Sequence, residues 1–389
     1  MTQKLRVNAL LAVGASALLT QTVLQAAVPI NDTFSLVGDV RTGFYTLDRD
    51  DRDGSTSEKD EWRLRLRAGL QATISDSLSA RVRFAGRYST HRSAADPEFE
   101  LYSSGISPGS DGLKMGQSTF DEMWLNYARG PWNLRVGRMQ TKLELVGVAK
   151  KSLDRNDSPN TDIAWTDGLY FKHKSSNGWN AHAIVQYNPE EGATQVRREP
   201  LSFADSGSRV SYFLAYEKTD KKATIVQRSL DVTYLPSALQ SDGNATGNID
   251  DYLAFVGRFA AQWPMGANGM KFLLAGELGY APNTPSSSAL KLGNGGDAGG
   301  NATQVTFNFI DIVPRHSVGV VVGKVEGGWL LSPDFKNNQH LYETRYRWNI
   351  AKKQRIEIRL RYRTDIEQRT DKLEKREDKD LYARYTYKF

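Results

Sequence analysis

Residues 381–389 read Leu-Tyr-Ala-Arg-Tyr-Thr-Tyr-Lys-Phe. Taken alternately they separate into Leu381, Ala383, Tyr385, Tyr387 and Phe389 on one face and Tyr382, Arg384, Thr386 and Lys388 on the other. A two-residue period rich in aromatics is a β-strand with two unlike faces. Whether that strand is an isolated case depends on the rest of the chain.

The same period recurs outward from this stretch. Trp62, Leu64, Leu66, Ala68, Leu70, Ala72 and Ile74 alternate with Arg63, Arg65, Arg67, Gln71 and Thr73. After a turn at Ser75-Asp76-Ser77, the residues Leu78, Ala80, Val82, Phe84 and Tyr88 interleave with Arg81, Arg83 and Arg87. This predicts a hairpin with an apolar outside and a basic inside. Residues 33–46 repeat it, with Phe34, Leu36, Val40 and Phe44 opposed to Asp39 and Arg41. Strands are expected near 123–127, 132–138, 166–174, 179–187, 209–218, 224–235, 250–263, 269–280, 303–313, 316–326, 339–350 and 354–364. The connections alternate between short ones, such as 129–131, 175–178, 314–315 and 351–353, and long ones at 47–59, 89–117, 141–165, 236–249, 281–302, 327–338 and 365–378.

About sixteen strands of this length, joined by alternating short and long connections, predict an all-β fold: a transmembrane antiparallel β-barrel with short periplasmic turns and long extracellular loops. The composition, 39% hydrophobic, with a mean hydropathy of −0.52, is compatible, because lipid-facing residues alternate with polar lumen-facing ones. Trp62, Tyr127, Trp132, Trp179, Tyr187, Trp263, Tyr280, Trp348 and Phe389 fall near strand ends on the apolar parity, as aromatic girdles require. There is no cysteine, which excludes disulfides and thiolate metal sites. Lys4 and Arg6, the apolar run from Ala9 to Leu19 and the small-residue end Gln25-Ala26-Ala27 predict a secretory signal peptide over 1–27, with the barrel over 28–389.

Closing the barrel sets the last strands beside the first. Arg345, Arg347, Arg359, Arg361, Arg363, Arg384 and Lys388 then join Arg41, Arg63, Arg65, Arg67, Arg81, Arg83 and Arg87 on one wall, against Asp39, Glu61, Glu343, Glu357 and Asp380 on the same parity. A barrel of about sixteen strands leaves an aqueous lumen, the place where so many arginines are tolerated at membrane depth. The net charge is +6, and two or three uncompensated arginines of this wall at a constriction predict a preference for anions of roughly tenfold.

The aromatic ending Leu381, Tyr385, Tyr387 and Phe389 resembles the C-terminal strand of Gram-negative outer-membrane barrels, and the whole pattern resembles sixteen-stranded trimeric porins. The run Trp132-Asn-Leu-Arg-Val-Gly-Arg138 followed by Trp165-Thr-Asp-Gly168 is similar to a pattern shared by porins and alginate-export-like barrels. Val313-Pro-Arg-His316 and Gly328-Trp-Leu-Leu-Ser-Pro333 resemble proteobacterial porins of the phosphate-selective O/P type. By resemblance, residues 141–165 stand where such porins carry a constriction loop, with Lys142, Lys150, Lys151 and Arg155 against Glu144, Asp154, Asp157 and Asp162. The resemblance implies a homotrimer inserted into the outer membrane by the barrel assembly machinery, in contact with lipid and lipopolysaccharide.

The expected function is a water-filled diffusion channel for small hydrophilic solutes and ions, preferring anions; the alternative is a dedicated channel for phosphate or acidic oligosaccharides. No cofactor, metal or nucleic acid is expected. Residues 49–60 imitate a calcium loop through Asp51, Asp53, Gly54 and Asp60, but Arg49 occupies the first ligand position. Gly293–Asn301 has the composition of a flexible loop. A barrel enzyme would have to use His91, His173, His182, His316 or His340; His91 and His340 fall near extracellular strand ends, and neither is near an evident Ser/Asp constellation.

Overall fold

A computed structural model describes residues 27–89, 98–99, 117–141, 143–154, 166–188, 209–240, 249–266, 269–293, 295–331 and 335–389. Sixteen long strands follow one another: β1 (Phe34–Asp50), β2 (Thr56–Thr73), β3 (Leu78–Ser89), β4 (Gln117–Arg129), β5 (Trp132–Met139), β6 (Thr166–Lys174), β7 (Trp179–Asn188) and β8 (Arg209–Thr219) make up the first half. The second half comprises β9 (Ile225–Gln240), β10 (Ile249–Met265), β11 (Met270–Tyr280), β12 (Asn301–Val313), β13 (His316–Val325), β14 (Gln339–Ala351), β15 (Gln354–Asp365) and β16 (Glu377–Lys388). Each pairs antiparallel with its neighbours, and β16 pairs with β1, so the sheet closes on itself. Two two-residue strands are extra to the ring: Val28–Pro29 against β1, and Glu98–Phe99 parallel to the start of β4.

The closing seam sets Leu381 opposite Thr46 and Tyr387 opposite Val40. Gly38 and Phe389 exchange both backbone hydrogen bonds at 3.0 Å. Closure leaves no unpaired strand edge, which a sheet surrounded by hydrocarbon cannot have.

The period of two becomes an inside-out distribution. Leu64, Leu66 and Leu70 are 40–47% exposed on the outer surface, whereas Arg65 and Arg67 between them are 3–4% exposed. Rings collect where the short turns lie: Trp132 packs on His173 at 4.1 Å, Trp179 stacks on Tyr216 at 4.6 Å, and Trp348 stacks on His316 at 5.3 Å. Trp62 meets Phe44 toward the opposite end. These are the aromatic belts of a barrel that spans a bilayer.

Three expectations about connections need correction. Residues 47–59 and 236–249 are not loops throughout, since β1 runs to Asp50, β2 starts at Thr56, and β9 and β10 extend to Gln240 and from Ile249. Past the lipid band a ladder needs no apolar face, so charged residues continue it. The turn that remains, 51–55, is closed by Asp51 N–H to the Ser55 carbonyl at 2.8 Å. Asp53 caps it by accepting from Ser55 N–H and Oγ, which hold its carboxyl below the usual carboxylate range. The glycine-rich stretch is also built: Ala281, Leu290 and Ala298 are buried, and Ser287 N–H donates to the Gly296 carbonyl.

Candidate functional site

The inward positions of β14–β16 and β1–β3 carry the arginines picked out by their parity. Arg65, Arg67, Arg83, Arg87, Arg345, Arg359, Arg363 and Arg384 are buried, while Arg41, Arg63, Arg81, Arg347 and Arg361 are half-buried. Lys388 is exposed at the end of β16. The buried set is a packed layer of ion pairs. Arg65 donates to Asp39 at 2.7 Å, Arg345 to Glu343 at 2.9 Å, Arg363 to Asp378 at 2.7 Å and Arg384 to Glu357 at 3.2 Å. Asp380 takes both Arg359 and Arg361, and Glu61 takes Arg63.

Two rings space these cations. Tyr45 and Tyr382 lie 5.4 Å apart; Arg63 sits over Tyr45 at 4.5 Å, and Arg359 and Arg384 sit over Tyr382 at 4.2 and 4.5 Å. Each such contact contributes about 0.5–2 kcal/mol and lets guanidinium groups share one face without touching.

The wall is more nearly neutral than the parity of its own strands implied. Asp121 and Glu122, adjacent in β4, are both buried and both face inward. A bulge does this: Arg83 opposes Glu122 and Phe84 opposes Phe120, so Asp121 is the extra residue. Its carboxylate takes Arg83 at 2.9 Å through both oxygens and Arg67 at 2.9 Å, while Glu122 takes Arg81 at 2.9 Å. Asp378, also absent from the expected list, takes Arg363, Arg376 and Arg49. The adjacent acid pair was the available signal in the sequence, because it breaks the alternation of β4.

Arg41 and Arg347 form no ion pair with a carboxylate of the described residues. Arg41 donates to the Thr386 hydroxyl at 3.3 Å, and Arg347 donates to the carbonyls of Gly147 and Val148 at 3.4 and 3.1 Å. Both are half-buried on the inward parity of their strands.

The segment after β5 lies against the inner faces of β9 to β14. Val148 and Ala149 N–H donate to Asn308 Oδ1 at 2.7 and 3.1 Å, Val146 N–H to Gln227 Oε1 at 2.9 Å, and Lys151 N–H to Gln304 Oε1 at 3.2 Å. Amide side chains from β9 and β12 thus satisfy the backbone of a segment that has no strand partner of its own. Leu145, Ala149 and Leu153 are fully buried against Leu235, Tyr252, Leu273 and Val321. Gly319 permits the approach, since a Cβ there would stand 2.6 Å from Ala149 N. Charges fix the segment's end: Lys151 pairs with Glu343 at 2.9 Å, and Asp154 joins Asp231 and Glu277 around Arg258, all four buried. Lys150 pairs with Glu144 inside the segment. Lys142, Arg155 and Asp157, along with Asp162, lie outside the described residues.

Both quoted motifs serve this arrangement. Gly137 and Gly168 face each other with φ of +117° and +149°, values that favour glycine, and set Arg138 and Asp167 in a bidentate pair at 2.9 and 3.0 Å where the segment leaves β5. In the second, Trp329 is buried and donates from Nε1 to the Leu153 carbonyl at 2.7 Å, pinning the segment from above. The 327–338 connection was expected only as a loop; its Trp329, Leu331 and Phe335 are core residues instead. Of the histidines, His173, His316 and His340 are on outward positions, His182 lies between Tyr170 and Glu217, and His91 is outside the described residues.

No protein-family model and no curated protein matches the sequence. Among solved structures, the chain is similar to Pseudomonas putida OprB with a TM-score of 0.57 at 11% identity, covering 92% of this chain and 94% of that one. It is similar to the outer membrane channel DcaP of Acinetobacter baumannii with a TM-score of 0.53 at 11% identity, over 94% and 100% of the two chains. Pseudomonas aeruginosa OprD gives 0.53 at 10% identity, over 93% and 97%. Identities this low speak to fold alone: the fold is that of Gram-negative outer-membrane porins, and in this chain the closed barrel has sixteen strands.

Proposed function

We propose that the protein is an outer-membrane porin, a water-filled channel through which small hydrophilic solutes and ions diffuse passively, with a preference for anions. The observation that carries the reading is the asymmetry of the inner surface. One wall carries cations at Arg41 and Arg347 with no carboxylate paired to them, and the segment 143–154, held on the adjoining inner faces of β9 to β13 and reached by Arg347 itself, narrows the passage beside them. Because most arginines are neutralised by buried carboxylates, the selectivity is modest. Two uncompensated charges in screened water favour an anion by about 1 kcal/mol, roughly fivefold.

Export through residues 1–27, of which 1–26 lie outside the described residues, contact with lipid and lipopolysaccharide, and assembly as a homotrimer belong to the same reading. Zero-current potentials across planar bilayers in a tenfold potassium chloride gradient test it. Anion preference is expected, falling toward unity in the double variant Arg41→Gln, Arg347→Gln; cation selectivity in the unmodified protein overturns it. Saturating block by phosphate at these arginines would instead identify the dedicated channel.

A further inference from the structure

The arginine wall does not use all the cations inside the barrel. Toward the short turns, the inner faces of β5 and β6 present Asn133, Arg135, Tyr170, Lys172 and Lys174. A cavity of about 380 Å³ opens there, reaching from the turn at Gly130–Pro131 to Thr141 and Leu143 at the root of the inserted segment. Arg135, Lys172 and Lys174 all line it.

The register places these charges together. Arg135 opposes Tyr170 and Asn133 opposes Lys172, so Arg135 and Lys172 are diagonal neighbours on one face, with Cβ atoms about 7 Å apart or less. The Arg135 guanidinium is braced over the Trp124 ring at 4.3 Å, and its Nε donates to Asn126 Oδ1 at 3.3 Å. No carboxylate lies within ion-pair distance of Arg135, Lys172 or Lys174 among the described residues. The acids nearest along the inner face are engaged elsewhere: Glu122 with Arg81 and Arg83, and Glu217 with His182 Nε2 at 3.2 Å. Tyr170 is held by His182 Nδ1 at 2.8 Å and belongs to that second group. The cavity wall is therefore rich in donors and poor in carboxylates.

We infer that this cavity is a second anion site, set at the short-turn mouth of the channel below the inserted segment, and that it takes small multivalent oxoanions of the phosphate and sulfate class. Such ions are acceptors only, match a guanidinium beside two ammonium groups, and gain more from clustered cations than chloride does. The inference rests on the channel reading only for its conductance test. Binding can be measured without it.

The test uses the full-length protein and inorganic phosphate. In detergent, phosphate should perturb tryptophan fluorescence saturably, because Trp132 lines the cavity and Trp124 carries Arg135. The double variant Arg135→Gln, Lys172→Gln should need roughly tenfold more phosphate for half the change. Lys174→Gln, exposed and near the turn, supplies a second variant with a smaller shift if the double variant does not fold. In bilayers, phosphate should block potassium chloride current at a lower concentration from one side than from the other, and the same variants should abolish that asymmetry. Absence of a saturable signal, or variants that titrate like the unmodified protein, overturns the site. Failure of the channel reading shows separately, as a protein that binds phosphate but conducts no chloride.

Discussion

The two halves of the inner wall follow opposite rules. From β14 through β16 to β3 the inward positions hold arginines, and nearly every buried guanidinium finds its carboxylate on its own or a nearby strand, as Arg345 does with Glu343 and Arg83 with Asp121 of β4. From β7 to β13 the buried inward positions include Ile184, Phe213, Leu235, Tyr252, Leu273 and Val321, with Gln227, Gln304 and Asn308 between them and one charged cluster around Arg258. Charged positions facing a wet lumen are complete once paired. Apolar positions facing water are not, and each large one left uncovered costs about 1.5–3 kcal/mol. The inserted segment covers them, and the amides between them meet its backbone. The apolar interior of one half and the segment's Leu145 and Leu153 thus have the same cause.

The comparison breaks most severely at Arg258. It is the cation on the segment-bearing side that holds Asp154, Asp231 and Glu277, and removing it leaves three buried carboxylates without that partner. Arg258→Gln should destabilise by about 4 kcal/mol. It should also free the end of the segment, read as a lower unfolding midpoint together with a larger single-channel conductance; unchanged conductance would mean the segment stays seated without this cluster. On the other half, Asp121→Asn removes one partner of Arg67 and one of Arg83, leaving Asp39 at 3.7 Å and Glu122 at 3.3 Å, and should cost about 3 kcal/mol, less if water reaches the two guanidinium groups. Its signature is selectivity: reversal potentials should move further toward anions, and a shift toward cations would show that the bulged carboxylate does not neutralise this wall. The smallest effect is expected inside the segment. Lys150→Gln breaks a partly exposed pair with Glu144, so stability should change by no more than about 0.5 kcal/mol and conductance hardly at all. A large loss there would move the anchor from the wall contacts to the segment itself.

Much of this was legible in the residues. Alternation around Trp62–Ile74 and Leu78–Tyr88 gave the strands, the apolar outside and the arginine-bearing inside, because side-chain direction in a strand is local. The stretch 141–165 was read by resemblance as a constriction loop, and its Leu143, Leu145 and Val148 are buried in the structure. What was missed is instructive. Asp121 and Glu122 break the alternation of β4, and a parity count assigns only one of them to the lumen; the bulge opposite Arg83 turns both inward. Trp329 looked like part of a connection, since nothing nearby in sequence says that it donates to Leu153, 176 residues away.

The sequence by itself determined that this chain is a barrel, which residues face lipid, and that Leu381–Phe389 closes the ring, since a period of two and pairing between successive strands are properties of the backbone. Only the tertiary structure decided how much of the arginine charge survives. That depends on which carboxylate stands within about 3 Å of each guanidinium, a distance set across strands and by one bulge. The seat of the inserted segment was decided in the same way, by Gln227, Gln304 and Asn308, whose amides acquire partners only when the ring has closed around it.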